Sequence, residues 1–401
     1  MAYEIWYNHK GDNMKRKLKP HGIIILLGVI LSLTVMGAFV IKTLKSKHKE
    51  PIVQEKPDDK EEPKDEVTDD VTEVSFVNVG DLLYHDSFLL DQSVDSFKEN
   101  FKFVKDWFKG TDLVMGNYET TTNPNRNYSG YPSFNTPISA LTAIKDAGFD
   151  VLNTNNNHTL DTGLEGVKTT LESARQEGLK TVGTQFEDEP KRLDIEVKGI
   201  KFGILSYSYG YNGLDANLSS YEKETFINQI DEEKMEKEIK ESHEVNDFTL
   251  INIHWGEEYA ISPNSTQKNL AQKMSDWGAD VILGSHPHVI QTFEKISDTY
   301  VIYSHGNFVS NQRLETMDDI ETERGLITEI VFQKNMSDNT KTIQSVDTYP
   351  TWVNKYGDGP YYFNVIPTHL YLDGKIDIEL SEDAKDRIQK AHDSVNARMS
   401  Q

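Results

Sequence analysis

Val281-Ile282-Leu283-Gly284-Ser285-His286-Pro287-His288 is an apolar run that ends in two histidines. Three aliphatic residues in a row read as a buried strand, and His-x-His at its end delivers two imidazoles to one edge of a sheet, where a metal ion can be held. The arrangement recurs along the chain. Asp81 follows the strand-like Val74 to Val79, Glu119 follows Leu113-Val114-Met115, Asn157-His158 follows Val151-Leu152, and His254 follows Leu250-Ile251-Asn252-Ile253. Five strand ends thus carry oxygen or imidazole ligands.

Between these runs, Ser139 to Ala147, Gly163 to Gln176 and Ser265 to Trp277 show apolar residues three and four apart, the helical spacing. Repeated strand–helix units imply a largely buried sheet with helices on its faces. Leu193 to Val197 and Ile200 to Ser206, joined by Lys198-Gly199, read instead as a hairpin, and Gly325 to Thr348 carries similar signals. The expectation is a mixed, two-sheet α/β sandwich over residues 74–378, followed by a polar helix within residues 379–401. About 300 residues suffice for one large domain with a buried core.

At each strand end a functional and a plain structural role compete. Gly80-Asp81 aims a carboxylate at the sheet edge, but such turns are common in α/β folds. In Gly116-Asn117-Tyr118-Glu119 the polar residues are two apart and share a side of an extended chain, so either can ligate or bridge a metal. Asn156, Asn157 or Asp161 could each cap the helix that follows. His158 is suited to donate a proton to a leaving group, because imidazole titrates near neutrality. With His286 and His288, His254 would make three converging imidazoles, and three imidazoles with carboxylates favour Zn, Mn or Fe over Mg or Ca. Tyr303 to Phe308, with His305 and Asn307, is either part of the rim or a structural turn. No Gly-x-Ser-x-Gly, P-loop or dinucleotide fingerprint occurs.

Gly22 to Ile41 contains no ionisable side chain. At about 1.5 Å per residue it is long enough to cross a hydrocarbon core of about 30 Å, and it is expected to be a single transmembrane anchor. Residues 1–21 would then be a basic cytoplasmic tail, with Met14 as a second candidate start, and the body would lie outside the cell. Residues 42–73 are a charged linker. Its stretch Glu50 to Glu73 holds eleven acidic residues, three lysines and three prolines, a composition that buries no core and extends by self-repulsion. Cysteine is absent, which excludes disulfides and thiolate ligands and suits an extracytoplasmic protein. A formal net charge of −23 argues against nucleic acid as a partner.

Taken in order, Val79-Gly80-Asp81, Gly116-Asn117-Tyr118-Glu119, Asn156-Asn157-His158 with Asp161 and Gly163, His254-Trp255-Gly256 with Glu258-Tyr259, Gly284-Ser285-His286-Pro287-His288 and Tyr303 to Phe308 resemble the CapA family of bacterial capsule-synthesis proteins. That family is linked to poly-γ-glutamate, and its domain is similar to the calcineurin-like metallophosphoesterases. The resemblance covers roughly Ser75 to Val309 and implies a four-layer α-β-β-α sandwich with the site at the strand ends. It implies that Asp81, Glu119, Asn157, His254, His286 and His288 surround one or two divalent transition metals (Mn, Fe or Zn), with His158 as the acid. Asn117, Asp161, Glu258, His305 and Asn307 are expected to contact substrate around them. Two departures stand out: the first motif is Asp81-Leu82-Leu83 where binuclear phosphoesterases have Asp-x-His, and the second is Gly-Asn where they have Gly-Asp. A bridging carboxylate must therefore come from Glu119 or be missing, and with it the second metal.

These readings lead to a membrane-anchored, metal-dependent hydrolase or transferase that acts on an anionic cell-surface polymer beside membrane polymer-synthase subunits. The alternatives are a non-catalytic scaffold subunit of a synthase or exporter, and a general metallophosphodiesterase.

Overall fold

The structure is a computed structural model and describes residues 70–400. The expected anchor at 22–41 and nearly all of the expected linker lie outside the described residues. Among the described residues no helix is long and apolar enough to cross a membrane.

Two mixed sheets form the body. The first is built from β1 (Val71–Leu82), β2 (Leu113–Tyr118), β3 (Val151–Asn153) and β4 (Lys180–Val182), which run parallel. The second contains β5 (Leu193–Val197), β6 (Ile200–Ser208), β7 (Phe248–His254), β8 (Val281–Ser285), β9 (Phe293–Ile296) and β10 (Thr299–Ile302), in the order β5-β6-β7-β8-β10-β9. The chain then returns to the first sheet with β11 (Asn307–Val309), β12 (Arg324–Asn335), β13 (Lys341–Tyr356) and β14 (Tyr362–Pro367), completing eight strands. The longer helices are α1 (Ile138–Ala147), α2 (Gly163–Gln176), α3 (Glu232–Val245), α4 (Ser265–Trp277) and α5 (Glu382–Met399).

Strand alternation sorts the apolar residues into three cores. Val74 and Phe76 of β1 face Ile204, Leu250, Val281 and Leu283 across the space between the sheets. Val77 and Val79, one residue out of phase, turn the other way and pack with Phe97, Phe101, Phe108, Leu141 and Ile144 of an outer helical layer. On the far side, Ile251, Ile253 and Ile282 pack against Met235 and Ile239 of α3 and Leu270 and Met274 of α4. The layers therefore run helix, sheet, sheet, helix. The Leu193–Ser208 hairpin forms as expected, with Lys198 and Gly199 both at positive φ (50° and 83°) in its two-residue turn.

Two boundaries differ from expectation. β1 begins at Val71, ahead of Val74, because Val71 to Glu73 pair with Gln333 to Asn335 of β12. The terminal helix is amphipathic: Ala384, Ile388 and Ala391 pack on Trp352 and Ile366, and Val395 reaches the core between the sheets. It belongs to the same compact unit as the strands.

Parallel strands share a direction, so β1, β2 and β3 in one sheet and β6, β7 and β8 in the other end along one edge. The candidate residues stand there.

Candidate metal centre

Close backbone approaches hold the strand ends. Gly80 lies against the Gly306 carbonyl and Gly284 against that of Tyr303, so that a Cβ at either place would run into backbone. The Asp81 amide donates to Gly306 O at 3.0 Å, and the Glu119 amide to Leu82 O at 3.1 Å. His286 and His288 both have positive φ, 98° and 57°, and the Pro287 carbonyl between them accepts from the Tyr259 amide at 2.7 Å. Two non-glycine residues in that region cost free energy, which the packing around them must hold in place. The result turns both imidazoles to the same cleft.

Two ligand triads result, Asp81–Glu119–His288 and Glu119–His254–His286, and in each the ligand atoms lie within 4.8 Å of one another. Glu119 belongs to both. Its Oε1 is 3.6 Å from His254 Nε2 and 3.7 Å from His288 Nε2. Asp81 Oδ2 is 3.2 Å from His288 Nδ1. Asn157 Oδ1 lies 2.9 Å from His254 Nε2, so the amide oxygen joins the second triad.

Side chains behind the triads fix their orientation. Asn307 Oδ1 sits 3.1 Å from His288 Nδ1, and Ser285 Oγ 2.9 Å from His254 Nδ1. A histidine whose Nδ1 proton is donated in this way keeps its Nε2 lone pair free for a ligand. Asn117 Nδ2 donates to Asp81 Oδ1 at 2.8 Å and to Glu119 Oε2 at 3.2 Å, while its Oδ1 accepts from Asn153 and Asn156 at 2.9 and 3.2 Å. The amide thus stands between two carboxylates where a carboxylate would repel both.

This leaves Asp81 Oδ2, Glu119 Oε1 and His286 Nδ1 buried without a hydrogen bond. Orphaned polar atoms are costly, and two carboxylate oxygens and a ring nitrogen converging on one cleft are the donor set a cation satisfies. The electrostatics agree. Burial, and then the nearby Asp81, push Glu119 well above the ordinary carboxylate range. Burial, and then His286 and His288, hold His254 well below the usual imidazole value, and burial followed by His288 lowers His286 to about 3. Neutral imidazoles with exposed lone pairs, and a carboxylate that lacks compensation, fit a divalent ion.

His158 stands beside the triads, with Nδ1 2.8 Å from Asp161 Oδ2 and its ring edge-on to Phe134 at 4.7 Å. The same Asp161 oxygen accepts from the Phe134 amide at 2.6 Å. Asp161 therefore orients His158, and its side chain, 1% exposed, does not reach the cleft as expected of a substrate contact. The four other expected substrate contacts are placed as follows. His305 lies beneath the site, 1% exposed, its ring nitrogens within 3.1 Å of Gly284 O and 3.0 Å of Thr328 Oγ1. Asn307 and Asn117 orient ligands and are themselves buried. Glu258 is exposed near the cleft, where its charge is felt at Glu119.

The structure also adds residues not singled out from sequence. Tyr209 lies over His286 with ring centroids 4.5 Å apart, and its backbone amide donates to His254 O at 2.9 Å. Phe134, which packs on His158, also meets His85 edge to face at 5.3 Å. Tyr209 follows β6, which lies beside β7 in the second sheet.

Residues 75–312 match the model of the family described as bacterial capsule synthesis protein PGA_cap, and the chain belongs to that family. It is 32% identical over 252 residues to the PGA biosynthesis protein CapA of Bacillus subtilis (strain 168), covering 61% of this chain and 65% of that protein. It is 34% identical over 226 residues to the capsule biosynthesis protein CapA of Bacillus anthracis, covering 53% and 54%. The chain thus spans between about half and two thirds of the length of these relatives. Among solved structures, a phosphatase from Mycoplasma pneumoniae matches with a TM-score of 0.43 at 13% identity, over 70% of this chain and 94% of that one. A structure described as a 5'-nucleotidase from Staphylococcus aureus matches with a TM-score of 0.46 at 13% identity, over 80% and 58%.

Proposed function

We propose that this member of the capsule-synthesis family is a metal-dependent hydrolase or transferase acting on a capsule or wall polymer. The observation that carries the reading is the convergence of three orphaned, buried donor atoms on a cleft where Glu119 is shared by two triads. Asp81, Glu119 and His288 would hold one divalent ion, and Glu119, Asn157, His254 and His286 a second. When bound, such ions supply a water of lowered pKa and polarise a phosphoryl or amide group.

The protein's own residues do the rest. Asp161 holds Nδ1 of His158, so the opposite ring nitrogen is the one free to give a proton to a leaving group. Phe134 covers the edge of that ring and limits its access to water. Asn117 keeps Asp81 and Glu119 in place without adding a third negative charge. The apolar run at 22–41 and the charged linker support a body held outside the membrane, within reach of polymer and of synthase subunits.

The test is elemental analysis of the purified chain beside a variant with His286 and His288 both changed to Ala. One or two transition-metal ions in the parent, lost from a folded variant, support the reading. A parent that takes up none after reconstitution sinks it in favour of a scaffold.

A further inference from the structure

A cavity of about 630 Å3 lies away from the metal centre, on the face of β13 and β14 that packs against α5. That is the size of a ligand pocket. Trp352, Asn354 and Tyr356 alternate along β13 and so point to one face. Asn364 of β14 is the cross-strand partner of Asn354, so two amides lie side by side on the cavity floor.

Asn364 Nδ2 donates to the Glu99 carbonyl at 2.7 Å. Asn354 lines the cavity at 7% exposure, and among the described residues its amide makes no hydrogen bond. An amide that lines a cavity offers a donor and an acceptor to a ligand. The charged lining, by contrast, is largely paired: Arg387 lies 2.6 Å from Glu315 and 2.8 Å from Asp383, and Arg313 lies 3.0 Å from Glu315. What the cavity offers is therefore planar donors and acceptors with little net charge, beside the 38%-exposed ring of Tyr356 and the side chain of Leu380.

We propose that this cavity binds a saccharide unit of a glycan. Adjacent hydroxyls of a sugar match the paired amides and the fixed guanidinium and carboxylate edges, and the C–H face of a pyranose matches Tyr356 and Leu380. A strongly anionic or cationic ligand would find no excess of opposite charge. The location suits a chain-like ligand. β12 separates β13 from β1, and strands about 4.8 Å apart place β13 roughly 10 Å from the strand that bears Asp81. The segment between them joins the two: Gln312 accepts from Asn307 Nδ2 at 3.0 Å, and the next residue, Arg313, lines the cavity. A glycan seated in the cavity would extend towards the proposed centre; its binding does not depend on that centre being catalytic.

The experiment is calorimetric titration of the full chain with tri-N-acetylchitotriose and, separately, with triglutamate, for the parent, Asn354→Leu and Tyr356→Ala. The expected result is that the trisaccharide binds, each substitution weakens it at least tenfold, and metal content is unchanged in both variants. No heat from the trisaccharide, preference for the acidic peptide, or binding that survives both substitutions would overturn the proposal. Saccharide binding by a parent without metal would leave this site standing while the catalytic reading fell.

Discussion

Glu119 carries the most conflicting demands of any residue at the centre. In the metal-free protein its raised pKa means that the native state keeps a proton the unfolded chain gives up at ordinary carboxylate pH. The associated stability is present at low pH and is lost as pH rises from about 4.5 toward the native pKa. His286 works in the other sense. Its native pKa of about 3 lies below the unfolded value of 6.5, so its contribution is complete above 6.5 and is lost as pH falls toward 3. Denaturant titrations of chelated protein between about pH 4 and pH 9 should therefore show a loss of stability on the acid side that His286→Asn reduces. They should also show a loss as pH rises above about 4.5 that Glu119→Gln reduces. His158 makes a separate prediction: His158→Ala should lower turnover by about 10²–10⁴-fold with metal content intact. Asp161→Asn should shift the pH profile of turnover, because it changes the proton on Nδ1 of His158 and not the imidazole itself. Of these residues, the candidate ligands could be picked out in the sequence because each follows an apolar strand. Tyr209 was not, since a tyrosine after Ser-Tyr-Ser carries no signal until the order of strands puts β6 beside β7. The choice between a rim and a structural role for His305 was open for the matching reason: its place under the sheet edge depends on Thr328, which is distant in sequence.

At the level of elements, the tight seams between strands are what hold the ligands in register. Gly284→Ala should push β8 away from the Tyr303 carbonyl, cost about 1–3 kcal/mol, and lower metal content in the protein that still folds. Gly210→Ala is the control, since nothing lies within 4 Å of its added Cβ and its φ is not positive, and it should change stability by less than about 0.5 kcal/mol. Urea titration and elemental analysis of the two variants decide the matter. Strands β1, β2, β3, β7 and β8 could be read from aliphatic runs, and the lengths of α2 and α4 from their spacing. The ends could not. Val71 to Glu73 look like linker because two of the three are polar, and they become strand only because β12 offers its edge. In α5 the charged residues outnumber the apolar ones, which concealed the stripe formed by Ala384, Ile388, Ala391 and Val395.

For the molecule as a whole, α5 is structural. Ile388 is fully buried, and Ile388→Ala should cost about 2–5 kcal/mol in urea titration while the metal stoichiometry of the folded fraction stays unchanged. The sheet order has a further consequence, for biosynthesis. β1, which bears Asp81, is flanked by β2 on one side and by β12 on the other, about 250 residues later in the chain. At about 5–20 residues per second a ribosome needs on the order of tens of seconds to make that interval. Until then the strand has one bare edge. Arg398 adds to the delay, because its guanidinium donates at 2.6 Å to the carbonyl of Ile290, two residues beyond His288. The nascent chain must therefore be carried through the making of that interval with its central strand half paired. An interval of exposed strand edge is built into the order in which its strands are made.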